Sequence, residues 1–350
     1  MRPLFLSLIL LAPVAVSASW KEVRNKPAEW FQGDEAKAAA ANVLSWQTEN
    51  GDWPKNVETF AETFPGGEKP EGTFDNGATV GEIRFLARMF GATGRDEYRD
   101  AALKGIDHVI NAQYISGGFP QKSPPGEKYP RYVTFNDGTT VNLLRLMREV
   151  SEDETFAFAG EGRRRVAGRM VQAGVRCILT CQHQGRFGVT VWAAQYDENT
   201  LQPRPARSFE PASLAAAESA DVLLFLMSFE NPSPDVVFAI EAGVSWFRKA
   251  ALRGVRVVET DEDVTVVRDP DAPPVWARFY DFDTMRPIFA GRDGVVKHSL
   301  AEIEQERRTG YAWYGDWGLK VFREYPKWRE RVRPKGDPPV GPESSPPADQ

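Results

Sequence analysis

The chain has 350 residues, with 43 Lys and Arg against 49 Asp and Glu, three His, two Cys and a hydrophobic fraction of 42%. That length, with ten Trp, supplies enough apolar surface for a sizeable core and excludes a mainly disordered chain. A net charge of −6 gives no long-range attraction for nucleic acid or anionic membranes, and two Cys without a CxxC pair exclude a disulfide framework and a structural zinc site.

In chain order, residues 1–18 read as a secretory signal. Arg2 supplies the positive start, Leu4 to Val16 the apolar stretch, and Val16-Ser17-Ala18 the small residues before a cut. A secreted or periplasmic protein is therefore expected, with no membrane partner after cleavage. The apolar stretch is too short to span a bilayer comfortably, and no later segment approaches 18 uncharged apolar residues.

A repeat fills the middle of the chain. Gly105, Gly174 and Gly243 fall 69 residues apart, and GIDHVINAQ, GVRCILTCQ and GVSWFRKAA follow with apolar residues in one helical register. An earlier copy, AAANVLSWQ, ends on Gln47, as later copies end on Gln113 and Gln182. Between them lies a second helix family, opened by FDNG (Phe74–Gly77), FNDG (Phe135–Gly138) and FEPA (Phe209–Ala212). Acidic or amide residues at these starts suit N-capping and the positive helix end. Self-similarity at fixed spacing sets the expected fold: all-α dominated, an incomplete (α/α)3 toroid of helical hairpins in one domain over residues 19–332. Val189–Trp192 and Val255–Val267 are strand-like and predict short β-structure in the loops. Six prolines and few apolar residues over 333–350 predict a disordered tail.

Several residues carry chemistry or could do so. FDNG and FNDG occupy corresponding helix starts in adjacent repeats, so Asp75, Asn76 and Asp137 offer hard oxygen ligands of the kind calcium takes. Separate N-capping by each motif is the alternative at this point. Arg207 immediately precedes the third helix-start motif, and Arg278 and Arg292 lie in WARFYD and GRDG. These arginines are either surface ion pairs or carboxylate-binding forks. The run Arg163–Arg165 reads as a solvated helix face, His108 as structural, and Cys177 with Cys181 as a half-buried pair on one helix face. No GxSxG, P-loop or HExxH pattern is present.

The motifs NGDWPKN, TFDNGATVGEIRFLAR, GGFPQ, VTFNDGTTVN, ARSFEPASLAAAES, MSFENPSPDVV, WARFYD, GRDGVVKHSL and RRTGYAWYGDWG, in that order between about Trp46 and Trp317, resemble the polysaccharide lyase family 10 pectate lyases. The resemblance implies an (α/α)3 toroid and calcium-assisted β-elimination of polygalacturonate; a monomer is expected. Carried over motif by motif, Asp75, Asn76 and Asp137 match the calcium ligands. Arg207 matches the arginine proposed as Brønsted base, and Arg278 and Arg292 match substrate-binding arginines. Local departures are Phe119 where the family usually has Trp, and Ala193 and Tyr196 where Cys and His are common. A guanidinium is normally protonated, and lowering its pKa by about three units takes about 4 kcal/mol, so a hydroxide or water positioned by Arg207 stays open as the base. Competing classes are a glycoside hydrolase using Glu210 and Glu218 as its carboxylates, and a non-catalytic module that binds pectic fragments.

Overall fold

Apolar residues at three- and four-residue spacings become ten α-helices in the computed structural model, which describes residues 19–332. The expected signal segment and the Pro-rich tail lie outside the described residues. In chain order the helices are α1 (Trp20–Val23), α2 (Asp34–Trp46), α3 (Val80–Thr93), α4 (Asp96–Ala112), α5 (Thr139–Glu152), α6 (Gly160–Cys181), α7 (Ala216–Leu226), α8 (Pro234–Ala250), α9 (Gln305–Thr309) and α10 (Trp317–Val332). Strands are short and sit in the connections, so the chain is helix-dominated as its repeats require. Among the described residues no helix is long and apolar enough to cross a membrane.

The chain divides into two compact units. The first comprises the residues up to Cys181 together with Ala193–Ala212, and the second comprises Gln182–Trp192 together with the residues from Ser213 onward. The first unit holds α1–α6. Its hairpins α3/α4 and α5/α6 are packed pairs, and α2 lies on α3 and α4. The second unit holds α7–α10, with α10 packed against the α7/α8 hairpin. It also carries a four-stranded antiparallel sheet formed by Leu214–Ala215, Phe279–Tyr280, Pro287–Ala290 and Val296–Lys297. The strand-like Val255–Val267 forms a hairpin of Val255–Glu259 with Val264–Arg268.

The glycines at 69-residue spacing have a steric reason. A Cβ at Gly105 would lie 2.7 Å from Ile83, at Gly174 2.2 Å from Leu144, and at Gly243 2.7 Å from Leu223. Each glycine thus admits an apolar side chain of its hairpin partner against the helix backbone. Ile83, Leu144 and Leu223 are all fully buried, and each such side chain contributes about 1.5–3 kcal/mol.

The glutamines that close the repeats do equivalent work. Gln47 Nε2 donates to Gly51 O (3.1 Å) and Ala101 O (2.9 Å), and Gln113 Nε2 to Gly117 O (2.8 Å) and Met170 O (3.0 Å). In the second unit Gln182 Nε2 donates to Thr190 O (2.9 Å) and Ala239 O (3.0 Å). One amide therefore ties a helix end, the loop after it and the next repeat's helix together, satisfying carbonyls that would otherwise be orphaned.

Other expectations resolve here. Cys177 and Cys181 are buried free thiols, and the hydrogen bond with Cys177, then burial, push the Cys181 thiol up. His108 is buried against the Phe74 ring and lies 3.4 Å from Asp52, a structural placement. The run Arg163–Arg165 is less solvated than expected, because Arg163 makes a bidentate pair with Asp107 of α4 at 2.6 and 2.8 Å.

Candidate active site

The helix-start motifs are not N-caps. In both the first and the second motif the tetrapeptide ends in a separate 3-10 turn, Asp75–Gly77 or Asn136–Gly138, and no side chain caps the α-helix that follows. The helix α7 likewise starts after Ala215 without a side-chain cap. The capping expectation is corrected for a physical reason. In each turn the second residue is left-handed, Asn76 at φ 54°, ψ 21° and Asp137 at φ 51°, ψ 25°, so the chain leaves helical geometry before the α-helix begins. Asn and Asp are the non-glycine residues that adopt this region most readily, which is why each motif reads Asn-Gly or Asp-Gly there.

The two turns belong to the first unit and lie side by side, with Cα separations within 8 Å. Their scaffolds are duplicates. Thr73 Oγ1 accepts from Asp75 N and Thr134 Oγ1 from Asn136 N, both at 3.1 Å, while Thr79 and Thr140 each donate to the carbonyl of the residue six positions earlier. The side chains at the first two positions are exchanged. Asp75 and Asn136 are buried, and Asn76 and Asp137 are exposed. Asp75 accepts from the Lys55 ammonium through Oδ2 and from Asn76 N through Oδ1 (3.1 Å). Asn136 Nδ2 donates to Asp137 Oδ2 at 2.6 Å.

Lys55 plays a part that sequence reasoning missed, although it stands in the motif NGDWPKN. Its loop is laced to the first turn: Trp53 N donates to Thr79 Oγ1 (2.9 Å), and Thr73 N to Trp53 O (3.0 Å). These bonds hold the β-branched Thr79 at φ 71°, a conformation that costs about 1–3 kcal/mol. They also carry Lys55 to the one buried carboxylate of the pair.

Arg207 lies in the same unit. Its segment is fastened to the second turn through Ala194 O, which accepts from Phe135 N (2.8 Å) and Asn136 N (3.2 Å), and through pairing of Gln195–Tyr196 with Val133–Thr134. The guanidinium is bidentate on Glu210, with Nε to Oε2 at 2.7 Å and Nη2 to Oε1 at 2.5 Å, and it stacks 4.7 Å over the Phe209 ring. Its side chain is 44% exposed, whereas that of Glu210 is 7% exposed. Glu210 is thus the anchored partner. Its spacing of three residues from Arg207 was a readable signal for this pair.

The other two arginines belong to the second unit. Arg278 pairs with the buried Glu218, and its guanidinium lies 5.1 Å from the Tyr311 ring and 5.9 Å from that of Trp317. Arg292 is exposed and pairs with Glu306 at 2.9 Å. Hydrogen bonds from Arg307 and then Arg292 hold the Glu306 carboxyl down to about 2. Glu210 and Glu218, the carboxylates of the hydrolase alternative, each serve an arginine.

Among the described residues, no group of three or more His, Cys, Asp or Glu side chains is arranged to hold a metal. The donor set at the two turns is instead two carboxylates with amides beside them. It consists of oxygen ligands alone, which suits calcium, a cation that readily completes its shell with water or ligand oxygens.

Comparison with known proteins identifies the family. The pectic acid lyase family matches residues 47–322. A family 10 polysaccharide lyase from Cellvibrio cellulosa is 32% identical with a TM-score of 0.77, over 87% of this chain and 96% of that one. An aspartate-to-alanine mutant of a family 10 polysaccharide lyase from Cellvibrio cellulosa, in complex with trigalacturonic acid, gives the same identity and TM-score over 87% of this chain and 97% of that one. No curated protein matched the sequence. The extent of the family match and the shared fold lead to one conclusion: this chain belongs to the pectic acid lyase family and is a polysaccharide lyase with that family's α/α fold.

Proposed function

We propose that the enzyme is a calcium-dependent pectate lyase that cleaves α-1,4-linked polygalacturonate by β-elimination. The observation that carries this reading is the abutment of the two turns bearing Asp75 with Asn76 and Asn136 with Asp137. The neighbour in complex with trigalacturonic acid supports an acidic polysaccharide as substrate. Asp75, Asn76 and Asp137 would hold the calcium ion. Bound there, the ion supplies positive charge that stabilises the negative charge building on the uronate carboxylate as the C5 proton leaves. Such local charge explains how a protein of net charge −6 takes a polyanion.

In β-elimination the C5–H bond breaks, a C4–C5 double bond forms and the C4–O bond to the leaving sugar breaks, with a proton delivered to the departing oxygen. Arg207 is assigned to the C5 proton, and Arg278 and Arg292 to the uronate carboxylates, for which the guanidinium fork is suited. The bidentate contact with Glu210 favours a cationic Arg207. For the guanidinium itself to be the base it must first leave Glu210; kept on Glu210, it can only position a water or hydroxide. Export to the periplasm or the medium, and action as a monomer, belong to the same proposal.

The test is incubation of the mature chain with polygalacturonate, with calcium or with a chelator, following the ultraviolet absorbance of unsaturated ends. Absorbance that rises only with calcium is expected, and an equal rise in chelator rejects the metal assignment. Arg207→Ala should lower turnover about 10²–10⁴-fold while calcium-dependent oligogalacturonate binding persists. Near-normal turnover would remove Arg207 from the proton-transfer step. Glu210→Gln separates base from water-positioner. Loss of the carboxylate should move the ascending limb of the kcat/KM profile, along which the base loses its proton, to lower pH if the guanidinium itself takes the proton, and leave it in place otherwise.

A further inference from the structure

A second concentration of arginine lies away from the two turns. The helices α1, α3 and α5, with the chain just after α5, line an open cleft of about 570 Å³. Arg24, Arg84, Arg88 and Arg145 line it beside the amides of Asn25 and Asn142. Glu149 and Asp153 are the acidic residues on its wall, so arginines outnumber carboxylates there by four to two. Arg145 and Glu149 stand six and ten residues past Thr139, which places them about 9 and 15 Å along the α5 axis from the second turn.

The guanidinium groups of Arg84, Arg88 and Arg145 are held rather than loose, while Arg24 stands exposed at the rim. Glu149 grips Arg84 through two bonds of 2.6 and 2.9 Å. Arg88 donates to Arg24 O at 2.5 Å and stacks 5.1 Å from the Trp20 ring, which pins α1 onto α3. Arg145 Nη1 donates to Asn142 Oδ1 at 3.3 Å. Forks fixed in this way lose little freedom when they close on a planar anion. The wall is mostly charged or amide-bearing, with Trp20 supplying an aromatic face, a lining that fits a hydrated sugar acid better than an apolar ligand.

We propose that this pocket is an accessory site for an acidic saccharide, taking a uronate unit through its carboxylate without a metal ion. The site borrows its ligand class from the function proposed above, but its chemistry is arginine-based and independent of calcium. Its role is to retain the polymer on the enzyme.

The experiment titrates trigalacturonate calorimetrically into the full chain in the presence of a chelator, then into Arg24→Gln/Arg145→Gln. Chelator-resistant binding is expected in the parent chain and should weaken at least about tenfold in the double variant, the loss of one or two charge-assisted hydrogen bonds. With calcium present, kcat on trigalacturonate should be unchanged and KM for polygalacturonate raised. Arg24→Gln alone, at an exposed position, should give a smaller loss and serves as the readout if the double variant does not fold. Absence of chelator-resistant binding, or binding that neither variant weakens, overturns the proposal. So does a pocket that takes inorganic sulfate and not trigalacturonate. A chain that forms no unsaturated product but still binds in chelator refutes the lyase mechanism and leaves the pocket standing, whereas the converse refutes the pocket alone.

Discussion

The stretches Thr73–Thr79 and Thr134–Thr140 share a scaffold and differ in where they put their charge. In the first, the carboxylate occupies the buried position and a lysine from another loop neutralises it. In the second, an amide is buried and the carboxylate stands exposed beside it. Two Asp-Asn turns in the same places would bury two carboxylates and require two counter-ions. Exchange of the pair leaves one buried charge to balance. The continuations also differ: α5 begins directly after Gly138, whereas α3 waits until Val80, past the strained Thr79 that receives the Trp53 N–H. A duplicated frame can thus hold two non-equivalent ligands.

The largest effects expected from breaking this asymmetry are on calcium use. Asp75→Ala and Asp137→Ala should each raise the calcium needed for half-maximal elimination by about a hundredfold or more, above the 10–100-fold typical of losing a ligand's supporting residue. Asp75→Ala should additionally lower folding stability in chelator by about 1–2 kcal/mol, a modest cost because Lys55 is 38% exposed and can rehydrate. Calcium titration beside chemical denaturation separates the two quantities, and unchanged titrations in both variants would dissolve the proposed centre.

Exchanging the motifs sharpens the point. Asn136→Asp with Asp137→Asn buries a second carboxylate and should cost about 2–3 kcal/mol in urea unfolding. Asp75→Asn with Asn76→Asp should cost less, since an amide needs no counter-ion. Equal losses would mean that depth of burial does not distinguish the turns.

Lys55→Met gives a smaller, conditional effect. Its thermal midpoint should fall below that of the parent chain in chelator and approach the parent value in saturating calcium, which replaces the missing positive charge. The same deficit in both media would show that Asp75 takes no cation.

The smallest effect concerns the next turn of helix. With Thr79 and Thr140 aligned, Glu82 of α3 corresponds to Leu143 of α5, and both are buried. Burial raises the Glu82 carboxyl above its ordinary value, against the opposing bond from Thr59 at 2.8 Å. An acid raised in the folded state stabilises fully below its unfolded value of 4.5, and that contribution is lost as pH rises through the folded value. Glu82→Gln keeps an acceptor for Thr59 and removes the titration. It should therefore be more stable than the parent at neutral pH, the advantage vanishing near pH 4. A pH-independent difference in thermal midpoint would contradict this.

The sequence by itself determined the repeat and the hairpins, because Gly105, Gly174 and Gly243 and the terminal glutamines act through short-range rules of helix period and close approach, which leave a periodic trace. It also determined the left-handed positions, since Asn-Gly and Asp-Gly report a backbone preference directly. Tertiary structure alone decided that FDNG and FNDG end in free-standing turns rather than caps, that Lys55 crosses to Asp75, and that Glu218 holds Arg278. Those outcomes depend on which residues, distant in the chain, share a buried volume. A charge taken out of water must find its partner there, and spacing along the chain does not encode who that partner is.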